Sequence, residues 1–151
     1  MDKIFPEKIN NYLELIRFKR PIGFMLLLWP CWFSLAYIDL PQKTLLSYYA
    51  LFFVGAFIMR SAGCIINDLV DQNIDSKIKR TASRPIAAKK ITNLNAFIFL
   101  IILLSIGFII LLQFKPLTIL VGFICTPLIF LYPLMKRITF WPQLFLGIVF
   151  N

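Results

Sequence analysis

Long uncharged apolar stretches alternate with short charged ones along this chain. About 20 predominantly apolar residues suffice to cross a bilayer as a helix, and such runs fall near residues 21–40, 45–67, 95–114 and 116–134. A further run begins near Pro142 and reads Leu144-Phe145-Leu146-Gly147-Ile148-Val149-Phe150 before Asn151. It is too short to cross, and no polar cap or basic flank follows it. The pattern predicts an all-α, polytopic transmembrane helix bundle with about four complete spans plus a truncated fifth. The chain is expected to be incomplete, either a fragment of a longer polypeptide or a product that ends early.

Ahead of the spans, Phe5, Ile9, Tyr12, Leu13 and Ile16 recur at helical spacing, with Lys8, Glu14 and Arg17 on other faces. Residues 1–20 are therefore expected to form an amphipathic segment on the cytoplasmic surface. It would serve as a leader into the first span or as a guide for a lipid substrate. Its several charges and lack of an uninterrupted apolar core argue against a cleavable signal.

Composition agrees with a membrane chain: 60% of residues are hydrophobic and 16% aromatic. The net charge of +9 is distributed by topology. Lys3, Lys8, Arg17, Lys19 and Arg20 precede the first run, Lys77, Lys79, Arg80, Arg84, Lys89 and Lys90 separate the second from the third, and Lys136 and Arg137 follow the fourth. The two other connections hold only Lys43 and Lys115. By the positive-inside rule the amino terminus and an Asp-rich, basic loop region over 68–92 face the cytoplasm. Contact with anionic headgroups then accounts for the charge, and no nucleic-acid partner is expected.

Several chemistries are excluded. There is no histidine, and Cys31, Cys64 and Cys125 are isolated in or beside apolar runs. No Cys-x-x-Cys pair, haem-ligating His, or His-activated nucleophile is available, and buried packing is the ordinary role for such cysteines. No Gly-rich phosphate loop or internal repeat is present.

Carboxylates are distributed unevenly. After Asp39 the only acidic residues are Asp68, Asp71 and Asp75, in the stretch that runs from Asn67 to Asp75. On a helix they fall within an arc of about 60°, so they share a face. They could simply mark an interface facing the basic loop, but ionisable groups at membrane depth usually mark function, and three carboxylates on one face repel unless a cation joins them. Hard oxygen donors without nitrogen or sulfur favour Mg²⁺, completed by substrate phosphates. Lys79, Arg80 and Arg84 follow closely enough to fold back over the same site and contact a diphosphate, whereas topology alone accounts for Lys89 and Lys90.

Arg60 lies inside the second run, seven residues before Asn67 and so on the same helical face. A substrate carboxylate or an ion pair with a neighbouring helix would each justify an arginine at that depth.

The sequence Asn67-Asp68-x-x-Asp71-x-x-x-Asp75, followed by Lys79-Arg80-Thr81 and Ser83-Arg84-Pro85, resembles the first Asp-rich motif of the UbiA-type intramembrane prenyltransferases. Arg20-Pro21-Ile22-Gly23 leading into Leu26-Leu27-Leu28-Trp29-Pro30-Cys31-Trp32, and Tyr132-Pro133-Leu134-Met135-Lys136-Arg137 before Trp141-Pro142-Gln143, are similar to the branch that acts on 4-hydroxybenzoate. Many relatives carry Asp where this chain has Lys19.

The resemblance runs nearly end to end and implies residues 1–151 to be the amino-terminal half of such a domain. It implies a helical bundle with a lipid-open cavity, in which Mg²⁺ helps transfer a polyprenyl group from its diphosphate to the ring of 4-hydroxybenzoate in ubiquinone biosynthesis. On this resemblance Asn67, Asp71 and Asp75, with Asp68, hold the metal, and Asn67, Arg80, Arg84 and Lys136 contact the diphosphate. Arg60 takes the carboxylate of the aromatic acid, and Tyr132 lies near the reacting groups, so Asp71, Asp75, Arg60 and Tyr132 form the catalytic set.

The implied location is a bacterial cytoplasmic membrane or the mitochondrial inner membrane, and the implied partners are the lipid bilayer, both substrates and a missing carboxy-terminal half. A second Asp-rich motif belongs to that half, so the chain is not expected to turn over alone. The alternatives are a non-catalytic membrane remnant that packs against a partner, or a relative acting on another aromatic acceptor.

Overall fold

The computed structural model describes residues 6–138 together with Trp141, Leu144 and Gly147; the side chains of 129–130, 132–134 and 136–138 lie outside the described residues. Among the described residues all regular structure is helical: α1 (Glu7–Leu15), α2 (Ile22–Ala36), α3 (Gln42–Asp75), α4 (Asn93–Leu111) and α5 (Pro116–Ile138).

The expected elements are present with shifted boundaries. Two described helices, α3 and α4, are long and apolar enough to cross a membrane. The first expected span is shorter than read. With 15 residues, α2 ends at Ala36, because Asp39-Leu40-Pro41 cannot continue a helix: the residue before a proline is pushed out of the α region. Only 116–128 of α5 counts as a described apolar segment, also under span length. The expected short fifth segment beyond Pro142 lies almost wholly outside the described residues.

The largest difference concerns α3. The expected loop region began at residue 68, but α3 continues unbroken through the Asp-rich stretch to Asp75, and the connection starts at Ser76. At 1.5 Å per residue its 34 residues reach about 51 Å, well beyond a hydrocarbon core of about 30 Å. No glycine or proline interrupts it after Gly63, so backbone propensity carries the helix out of the apolar zone.

The connection 76–92 is folded, not slack. Thr81 Oγ1 donates to the Asp75 carbonyl at 3.1 Å, closing the first turn after α3. Pro85, Ile86 and Ile91 are buried, and the Lys90 amide donates to the Pro85 carbonyl at 2.8 Å. Thr92 caps α4 by accepting from the Asn95 amide at 3.3 Å.

The amino-terminal helix is shorter than the expected segment and buries Leu15 completely, with Tyr12 edge-on to Phe99 of α4. Phe5 lies outside the described residues, and Ile9, expected on the apolar face, is about half exposed. Helix α1 ends in a Schellman cap: the Arg17 amide donates to Glu14 at 3.0 Å and the Phe18 amide to Leu13 at 2.9 Å.

Burial is concentrated at one end of the bundle. Leu15, Ile58, Ala62, Ile65, Ile66, Ile86, Ile91, Ala96, Leu100 and Leu103 form a single apolar core, where α3 packs against α4 and the connection folds beneath the Asp-rich turns. Toward the other end Leu46, Phe53, Phe108, Ile109, Leu120 and Phe123 are exposed, as expected of surfaces that face hydrocarbon. The Asp-rich end is therefore the more densely packed end.

Candidate functional site

The two carboxylates of α3 that are most buried are also the ones that arginines hold. Asp68 is 3% exposed. Its Oδ1 accepts from Arg17 Nη2 at 2.9 Å and from Arg84 Nη1 at 3.2 Å, and Arg84 Nη1 also donates to Asp75 Oδ2. Arg84 thus bridges two carboxylates two turns apart on α3, whereas Lys79, expected with it over the same face, is exposed. Leaving such carboxylates in a buried setting without partners would be costly, so the arginines stabilise the cluster.

Arg17 sits at the C′ position of the α1 cap with φ 57°, in the left-handed region where glycine is usual. The sequence placed it on a polar face of the amphipathic segment and among the basic residues flanking a span. Its partner is 51 residues away, and no local spacing signals such a pair.

Asn67 and Asp71 are half-buried on the same stretch of helix. Arg60 lies two turns before Asn67, half-buried, and its guanidinium rests against the α2 backbone at Gly23. It lines a cavity of about 400 Å³ between the α1–α2 junction and α3. Arg17, Lys19 and Arg20 add positive charge to the cavity, and Phe18, Phe24 and Phe57 supply an aromatic wall. Those rings are set edge-to-face, with centroids 6.0 Å apart for Phe18 and Phe57 and 5.7 Å for Phe24 and Phe57. The cavity suits a small, flat anion.

The other expected residues are not gathered here. Arg80 is exposed and makes no ion pair among the described residues. The backbones of Tyr132 and Lys136 belong to α5, while their side chains lie outside the described residues.

Along the Asp-rich face a single ion would reach only neighbouring donors. Asn67 and Asp75 are eight residues apart, about 12 Å along the axis, so one Mg²⁺ with oxygen ligands at about 2.1 Å cannot take both. Among the described residues no group of three or more His, Cys, Asp or Glu side chains is placed to hold an ion. The ladder Asn67, Asp71, Asp75 offers oxygen donors of the type a hard divalent cation takes, but too few at any one point to complete its coordination.

Comparison with known proteins decides the family. The UbiA prenyltransferase family model matches residues 27–151. The chain belongs to that family. Among UbiA relatives, the mitochondrial 4-hydroxybenzoate polyprenyltransferase of Drosophila pseudoobscura pseudoobscura is 48% identical over 144 residues, covering 93% of this chain and 36% of its own length. The mitochondrial 4-hydroxybenzoate polyprenyltransferase of Arabidopsis thaliana is 45% identical over 152 residues, covering 100% of this chain and 37% of its own length. The 4-hydroxybenzoate octaprenyltransferase of Vibrio atlanticus is 42% identical over 146 residues, covering 95% and 50% respectively. This chain thus spans between about a third and a half of the length of these relatives. No solved structure matches it.

Proposed function

We propose that this chain carries the donor-diphosphate and acceptor-binding portion of a 4-hydroxybenzoate polyprenyltransferase. The observation that supports this most directly is the placement on one helix of an arginine-bridged Asp-rich face and, two turns away, a cationic cavity with an aromatic wall. The names of the relatives support the acceptor and the transferred group.

In this reading Arg84 meets the donor diphosphate, and Asn67, Asp71 and Asp75 hold Mg²⁺ against it. Mg²⁺, when bound, would neutralise the diphosphate and ease its departure. Asp68 serves differently, by orienting Arg17 and Arg84. Arg60 takes the carboxylate of 4-hydroxybenzoate, and the Phe24 and Phe57 rings hold the acid's ring flat. Lys136 and Tyr132 would approach from α5, and Arg80 would join on closure of the connection. The allylic carbon–oxygen bond breaks with its electron pair going to the diphosphate. A carbon–carbon bond then forms beside the ring hydroxyl, and the ring proton at that carbon is lost. Holding both reactants in a fixed geometry is the main contribution of the residues named.

The relatives' names and organisms support a mitochondrial or bacterial setting, and the long apolar helices α3 and α4 support a membrane within it. The charge distribution supports a multi-pass chain with the connection 76–92 on the cytoplasmic or equivalent side.

The test uses the purified chain in lipid nanodiscs with Mg²⁺, a polyprenyl diphosphate and 4-hydroxybenzoate. Arg60→Ala is expected to weaken the aromatic acid at least about 10-fold while sparing the donor, the loss expected for one charge-assisted contact. Asp71→Ala should do the reverse and remove the Mg²⁺ dependence. Equal weakening of both ligands by Arg60→Ala would make that residue a structural ion-pair partner and sink the assignment.

A further inference from the structure

Gly23 stands in the first turn of α2, where glycine is unfavourable relative to alanine. Its backbone does not need glycine's freedom, since no glycine among the described residues has positive φ. What it needs is an absent side chain. A Cβ at Gly23 would lie 2.6 Å from Arg60 Nε, 3.1 Å from Nη2 and 3.2 Å from Cζ. By contrast, a Cβ at Gly63, on the same helix as Arg60, would meet nothing within 4 Å.

We infer that Gly23 is a positioning residue for the acceptor: bare α2 backbone seats the Arg60 guanidinium on the cavity wall, at the place where an aromatic carboxylate is received. The inference rests on the assignment of Arg60 to that carboxylate. Both residues line the same cavity, together with Phe24 and Phe57. Seating matters because a guanidinium on a flexible stem loses affinity unless its fork is held in one orientation. An alanine at this position would displace the end of a flexible side chain and leave the backbone alone, so the helix would tolerate it. The guanidinium would shift by about 1 Å, a misplacement of the size that typically costs up to about 100-fold in a positioned step.

The experiment is a double-mutant cycle on the chain in nanodiscs, using radiolabelled 4-hydroxybenzoate in equilibrium dialysis and magnesium pyrophosphate as the control ligand. Gly23→Ala should weaken the acid at least about 10-fold, leave pyrophosphate binding within about 2-fold, and keep the melting temperature of the parent. In the Arg60→Ala background, which has no side-chain atom near the added methyl group, the same change should cost less than about 2-fold. The Arg60 Nε signal in a ¹⁵N-arginine spectrum should move in Gly23→Ala. An equal loss in both backgrounds, or an unmoved Nε signal with acid binding intact, overturns the role of Gly23 while Arg60 stands. If Arg60→Ala binds the acid as the parent does, or the parent does not bind it, the Arg60 assignment fails and takes this inference with it.

Discussion

Arg84 donates through a single nitrogen to both Asp75 and Asp68, so the cation nearest the Asp-rich face occupies carboxylates that a metal would need. A diphosphate would compete for that guanidinium and release Asp75, coupling donor and metal. Arg84→Ala should therefore act with opposite signs on two ligands. Mg²⁺ alone should bind more tightly to the variant than to the parent, and magnesium pyrophosphate more weakly, by about 10-fold. Calorimetric titration of each would read this. A parallel loss of both would mean that Arg84 holds the fold and not the ligand.

Asp68 is expected to matter for stability more than for metal affinity. Asp68→Ala removes the shared acceptor of Arg17 and Arg84, which are each about a quarter exposed, and should cost on the order of 2 kcal/mol. Asn73→Ala, at an exposed position of the same helix, should stay within about 0.5 kcal/mol. Thermal unfolding in detergent distinguishes them. An Asp68→Ala chain as stable as the parent would return Asp68 to the candidate metal ligands.

Arg17 offers a test of why a strained arginine stands where glycine is usual. Both Arg17→Gly and Arg17→Ala lose the pair with Asp68, but only alanine retains the cost of a left-handed backbone at φ 57°. The glycine variant should be the more stable of the two by about 1 kcal/mol. Equal stabilities would show that the cap relaxes out of the left-handed conformation in the alanine variant.

Much of the architecture was legible because apolar runs and a one-sided Asp pattern follow from helix geometry alone. The shared face of Asp68 and Asp75 could be read from spacing, but proximity alone did not separate Arg84, which returns over it, from Lys79 and Arg80, which are exposed. The end of α3 could not: hydropathy marks where lipid ends, whereas the helix continues because its backbone has no reason to stop before Ser76. Arg17 was invisible as a partner, since nothing local links residue 17 to residue 68. Gly23 was visible only as part of a motif, because what a glycine makes room for depends on the neighbouring helix. Asp71 shares the face read from spacing, whereas the roles of Asn67, Tyr132 and Lys136 rest on family resemblance.

The ladder Asn67, Asp71, Asp75 makes a last, quantitative demand. With its ends about 12 Å apart, no single ion spans it, so metal affinity should be weak without a phosphate ligand and rise steeply with one. Mn²⁺, substituted for Mg²⁺ as a paramagnetic reporter, should bind the parent at least about 10-fold more tightly when pyrophosphate is present. Asp71→Ala and Asp75→Ala should each abolish that enhancement, while circular dichroism shows the helices intact. Asp68→Asn should keep the enhancement in whatever fraction remains folded, because its carboxylate faces Arg17 and Arg84. Tight Mn²⁺ binding without pyrophosphate, retained in Asp71→Ala, would place the ion elsewhere and overturn the ladder.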